Sequence, residues 1–209
     1  MNIFILDQDP KQAAMMMCDK HINKMIIESQ QILSCVLDKR YQERHLSKDK
    51  DALTPSKQLG LPQYPKAHAK HPCTLWALES RANFKWLLKH TRQLVSEYSF
   101  RYRERNGARK VHSLEGNLCI YEAQGQYLSF PKAKLTPFAQ AMPVDYKEPG
   151  NAVAAYRTYY LMDKSFAKWE KHRGVPTWYK YGRLMMLHQT RGFLLRSTFN
   201  ETIESKFAA

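Results

Sequence analysis

The chain has 209 residues and carries 33 Lys+Arg against 19 Asp+Glu, a formal net charge of +14 with a pI near 9.6. A composition of 44% hydrophobic and 12% aromatic residues supplies enough apolar surface for one packed domain and excludes an intrinsically disordered chain. The longest uncharged apolar runs, such as Met25-Ile26-Ile27, fall far short of the roughly 20 residues of a membrane-spanning helix.

A cationic surplus of this size attracts polyanions, nucleic acid foremost. Four cysteines are too sparse for a disulfide scaffold, so they are expected to be small buried hydrophobes. The amino-terminal residues Ile3-Phe4-Ile5-Leu6 lack the basic flank of a signal peptide and meet Asp7 at once. The expectation is a soluble, cytoplasmic protein that needs neither a membrane nor an obligate protein partner.

In chain order, residues 1–6 read as a short apolar strand. Asp9 is a good N-cap and Pro10 suits a first helical position, which predicts a long first helix over 10–37. Its apolar side carries Cys18, Ile22, Met25, Leu33 and Val36. Charges together with Pro55, Gly60, Pro62 and Pro65 predict a long loop over 38–70. A second helix is predicted from His71-Pro72 to a stop at Asn106-Gly107. Then follow an irregular or hairpin insert over 108–134, a short helix over 135–142 and a third long helix over 152–171 opened by Gly150-Asn151. The segment 178–199 alternates basic and apolar positions at helical spacing. The expected fold class is mainly α: a single domain over 1–209 of three long helices plus shorter ones, with a short N-terminal strand and a possible small hairpin.

Three constellations could carry chemistry. His21, Lys24 and Glu28 lie three and four residues apart, with Lys20 beside them, so they share one helix face. That spacing fits an ordinary surface ion pair worth about 0.3–0.5 kcal/mol. It equally fits a cleft in which Glu28 stabilises a cationic transition state or moves a proton, and in which Lys24 or Lys20 supplies an amine or a phosphate contact. Cys18, His21, His71 and Cys73 would be enough ligands for a four-coordinate zinc, but no complete paired-ligand signature is present. No metal and no cofactor are expected. His71 is read instead as the start of a helix whose free N–H groups can hold a phosphate. The third group is Trp169, Lys171, His172, Arg173, Trp178, Tyr179, Lys180, Tyr181 and Arg183: bases neutralise phosphates while rings stack on exposed nucleobases. The alternative is that Trp169 and Trp178 anchor the core and the charges are solvated. With eight glycines and no phosphate-cradling loop, nucleophile elbow or dinucleotide fingerprint, enzymes of those classes are excluded.

Pro176-Thr177-Trp178-Tyr179-Lys180-Tyr181 resembles the carboxy-terminal aromatic segment of phage pyrimidine-dimer DNA glycosylases of the endonuclease V type. A broader group of phage and bacterial proteins is similar at Leu6-Asp7, at Asp19-Lys20-His21-Ile22-Asn23-Lys24-Met25-Ile26-Ile27-Glu28 and at His71-Pro72-Cys73-Thr74-Leu75-Trp76. Its phage members also carry the motifs seen here at 135–143 and at Ala155-Tyr156-Arg157-Thr158-Tyr159-Tyr160, which adds Arg157 to the candidate DNA contacts.

The resemblance implies an all-α fold that grips double-stranded DNA, extrudes a nucleotide and attacks the sugar C1′ with an amine. A helix-borne glutamate, for which Glu28 is the closest candidate, supports the imine. The family's nucleophile is the α-amino group of a small residue exposed by removal of Met1. Asn2 is bulky, so Met1 is expected to stay and Lys24 or Lys20 to substitute. Two alternatives stand beside this reading. One is a phage thymine-modifying transferase that displaces pyrophosphate from an activated 5-hydroxymethyluracil in DNA with an amine, using His21 and Glu28 as bases. The other is a non-catalytic DNA-binding protein. A phage-encoded protein would act in the host cytoplasm.

Overall fold

A computed structural model describes residues 2–45, 53–104 and 106–188. Asp9 caps the first helix, α1 (Pro10–Met16), by accepting from the Lys11 and Gln12 amides, each at 2.9 Å. The predicted first helix does not continue. Met17 turns extended at φ −64°, ψ 146°, and α2 restarts at Asp19, running 27 residues to His45. At 1.5 Å per residue it is about 40 Å long. It consumes the first part of the expected 38–70 loop, the rest of which contains the short α3 (Pro55–Gln58) and a 3₁₀ turn, Lys66–Lys70.

The second predicted helix also breaks in two, α4 (Pro72–Glu79) and α5 (Arg81–Arg101). Ser80 adopts an extended conformation between them and caps α5 by accepting from the Asn83 amide at 3.0 Å. The 108–134 insert is not a hairpin: its apolar piece forms α6 (Asn117–Gly125). Residues 135–142 form no helix. Thr136 is exchanged instead with Asn83, whose amide donates to the Thr136 hydroxyl at 2.6 Å and accepts from the Thr136 amide at 3.0 Å. Asn151 caps α7 (Ala152–Asp163), which stops eight residues before the predicted end. A last helix, α8, covers 177–188, and the remainder of the predicted 178–199 helix lies outside the described residues.

The fold is mainly helical and a single domain, as expected. Helices α2 and α5 pack against each other, with α4 against both and α1 against α5. The amino-terminal segment is not a strand. Ile3, Ile5 and Leu6 are fully buried in the core without strand pairing, and among the described residues only an isolated bridge, Ser80 to Lys132, has β geometry. Cys18, Cys35 and Cys73 are buried as expected, whereas Cys119 is exposed. No helix among the described residues is long and apolar enough to cross a membrane.

A buried ion network fixes the segment that leads into α8. The Arg101 side chain is wholly buried. It donates to Glu97 Oε2 (3.0 Å), to Asp19 Oδ1 (3.0 Å) and to the Met17 and Met15 carbonyls (2.8 Å each). Those two carbonyls end α1 with no following turn to satisfy them, so Arg101 accounts for the break at Met17. The other Asp19 oxygen accepts from the amides of Glu170 (2.6 Å) and Lys171 (3.1 Å).

Candidate active site

Asn2 opens the site. Its side-chain oxygen accepts from the amides of Ile3 (2.8 Å) and Phe4 (3.1 Å), and its side-chain nitrogen donates to the Ala141 carbonyl (2.7 Å). This local turn accompanies a left-handed Phe4 at φ 43°, a costly conformation for an aromatic residue. The Phe4 ring is held by His21, stacked at 4.6 Å, and by the edge of Tyr160 at 5.3 Å. So constrained, the backbone nitrogen of Asn2 donates to Glu28 Oε2 at 2.8 Å.

Glu28 projects from the middle of α2, where its side chain keeps 15% exposure, and its other oxygen lies 3.6 Å from the Nζ of Lys24, a well-exposed side chain. His71, half-buried, is the N-cap of α4 and its Nδ1 accepts from the Cys73 amide at 3.2 Å. Burial lowers the His71 pKa, and the nearby Glu28 carboxylate acts in the opposite sense. Cys73 lies below, its thiol pushed up to about 12 by burial.

The structure therefore brings together Asn2, Lys24, Glu28 and His71, and separates His21 from them. His21 is turned inward, 5% exposed, and its Nδ1 pairs with the Tyr160 hydroxyl. Its pKa falls to about 3, through burial first and then through Lys164, Lys24 and Lys20. A neutral, engaged imidazole of that kind is a weak base, which argues against the expected proton-abstracting role. Lys20 is exposed, with its Nζ 4.8 Å above the Phe166 ring. The zinc alternative fails on geometry: no group of three His, Cys, Asp or Glu side chains among the described residues could hold a metal.

The aromatic and basic segment divides between core and surface. Trp169 is buried, donating to the Met16 carbonyl at 3.1 Å, and Tyr179 packs on it at 4.7 Å and is itself buried. Trp178 is half-buried against the Tyr160 edge. Arg173, expected on phosphate, is bound to Glu97 through two bonds of 2.9 and 2.6 Å. Arg157 donates to the Leu6 carbonyl (2.9 Å), reaches Asp7 (3.3 Å) and lies over the Trp178 ring. Tyr179, Arg173 and Arg157 thus hold the fold: Trp169 claims the first, Glu97 of α5 the second, and Leu6 and Asp7 of the amino-terminal segment the third. Lys171, Lys180, Tyr181 and Arg183 remain exposed.

Sequence reading missed the roles of Asn2, Phe4 and Tyr160. Tyr156 and Tyr160 are four residues apart and face the same way, a signal that was available. The Asn2 contact spans 26 residues and has no local signature.

Fold and site define an all-α, strongly basic protein that holds a helix-borne carboxylate against its own amino-terminal backbone. The chain belongs to the pyrimidine dimer DNA glycosylase family, whose model matches residues 1–110, and so to enzymes acting on DNA bases. No curated protein and no solved structure matches it. The matched residues include Asn2, Lys24, Glu28 and His71, whereas Ala141, Tyr156 and Tyr160 lie beyond them.

Proposed function

We propose that the protein is a glycosylase with coupled lyase activity on pyrimidine bases in double-stranded DNA, and that the Asn2 nitrogen and Glu28 are its reactive pair. The observation that carries this reading is the 2.8 Å contact between that nitrogen and Glu28 Oε2. While Met1 is attached the nitrogen is an amide and cannot attack, so this reading requires Met1 to be removed in spite of the bulk of Asn2; the deprotonated amine then offers a lone pair. The amine adds to C1′ as the base departs with the electrons of the glycosidic bond. Glu28 accepts the proton the nitrogen loses and stabilises the cationic sugar by its charge. The exposed Lys20, Lys24, Lys171, Lys180 and Arg183 supply phosphate contacts, and Tyr181 a ring for stacking.

Lys24, 3.6 Å from Glu28 Oε1, is the competing amine. A transferase would use the same carboxylate to deprotonate an incoming amine. The test incubates the protein with UV-irradiated and with hydroxymethyluracil-containing duplexes and analyses the nucleosides by mass spectrometry. Released base with strand nicking is expected. A mass increase on the base would establish the transferase instead, and tight binding without product would leave a binding protein.

A further inference from the structure

We propose that the Asn2 side chain is the positioning device of the reactive amine, aiming its own backbone nitrogen at Glu28. This rests on the glycosylase and lyase reading above. Asn2 is 8% exposed, and all its side-chain polar atoms are engaged in directions that fix the residue as a rigid body. Oδ1 closes the turn over the amides of Ile3 and Phe4, and Nδ2 reaches across to the Ala141 carbonyl. The Ala141 amide is held in turn by the Tyr156 hydroxyl at 3.1 Å, and that hydroxyl donates to the Ala139 carbonyl at 2.9 Å. Tyr156 is fully buried in α7. The amino terminus is thereby tied to a strut outside the matched family region.

A chain terminus ordinarily frays, and an amine on a frayed end attacks only in the fraction of time it is aligned. Here the turn, the left-handed Phe4 and the ring stack on His21 hold the nitrogen in one place. A serine could keep part of the turn, since its hydroxyl can accept from the residue-4 amide, but it cannot reach Ala141. Aspartate keeps both turn bonds, loses the donation to Ala141 and sets a second negative charge beside Glu28.

The experiment uses protein released from a cleavable fusion so that every variant begins at residue 2, which holds Met1 removal constant. Borohydride trapping of the imine is followed on an abasic duplex at saturating protein, beside the equilibrium Kd for a non-cleavable abasic analogue and the thermal midpoint. For Asn2→Ala the trapping rate should fall on the order of 10²-fold, the usual consequence of misplacing a reacting group by about 1 Å. Kd should stay near the wild-type value, and Asn2→Ser should recover part of the rate. Asn2→Asp should keep the thermal midpoint closer to wild type than Asn2→Ala while still slowing trapping. Trapping by Asn2→Ala at the wild-type rate overturns the proposal alone. So does a rate loss that merely follows the thermal midpoint across the three variants. Failure of the wild-type protein to trap any imine overturns it together with the lyase reading.

Discussion

Glu28→Gln separates a catalytic carboxylate from a structural one. The amide keeps the side-chain shape and an oxygen to accept from the Asn2 nitrogen at its 2.8 Å contact. It loses the charge that faces Lys24 at 3.6 Å, where the lysine side chain is 65% exposed and screened by solvent. A helix-surface pair of this kind is worth about 0.3–0.5 kcal/mol, so the structural cost should stay below about 1 kcal/mol, or roughly 2–4 °C in Tm for a domain of this length. A carboxylate that accepts the amine proton and stabilises a cationic sugar should lose on the order of 10²-fold or more in rate, about 2.7 kcal/mol of barrier. The assay is single-turnover base release at saturating protein, with DNA affinity measured in parallel because removal of a negative charge strengthens phosphate binding. A variant that releases base at the wild-type rate would refute the role given to Glu28, and a Tm loss of 10 °C would show it to be a structural residue.

Arg101→Leu leaves Asp19 and Glu97 buried without their shared partner and frees two carbonyls at the end of α1; a loss of about 3–5 kcal/mol is expected from chemical denaturation, and a loss under 1 kcal/mol would show the network to be dispensable. Stability should also depend on pH through His21 and His90, held neutral by burial with pKa values of about 3 and about 4 against 6.5 for the free group. Between those limits the unfolded chain binds the extra protons, so stability rises with pH up to about 6.5 and levels off above it, with a slope of up to about 1.4 kcal/mol per pH unit for each histidine; denaturation midpoints from pH 4 to 8 that stay flat would contradict their burial as neutral rings. Gly125→Ala would set a Cβ 2.5 Å from Phe84 Cε1, a core ring with little room to move, and should cost about 1–3 kcal/mol by overpacking; an unchanged thermal midpoint would argue against that packing.

What was legible in the sequence was local. Asp9-Pro10, His71-Pro72 and Asn151 each mark a helix start, because an N-cap needs only its own next turn. The interruptions at Met17 and Ser80 were not legible, because apolar residues continue at helical spacing through both. The first is paid for by Arg101 from another helix, and the second by the exchange between Asn83 and Thr136, 53 residues apart. The Glu97–Arg101 pair has readable i,i+4 spacing, but its extension to Asp19 and Arg173 does not, and this is why Arg173 read as a DNA contact; Arg157 did so because its partners, Leu6 and Asp7, lie about 150 residues away in sequence. Lys24 and Glu28 were visible as a helix-face pair. The partner that gives Glu28 its chemical meaning is a backbone atom of Asn2, which no side-chain pattern encodes.

The proposed attacking amine is the nitrogen of residue 2, set 2.8 Å from Glu28, and it can be identified chemically. Protein that begins at Asn2 is trapped with borohydride on an abasic duplex, digested, and the adduct located by mass spectrometry. A sugar remnant is expected on the α-amine of the amino-terminal peptide, with no trapping by protein that retains Met1. An adduct on Lys24 or Lys20, or equal trapping with Met1 in place, would contradict that assignment.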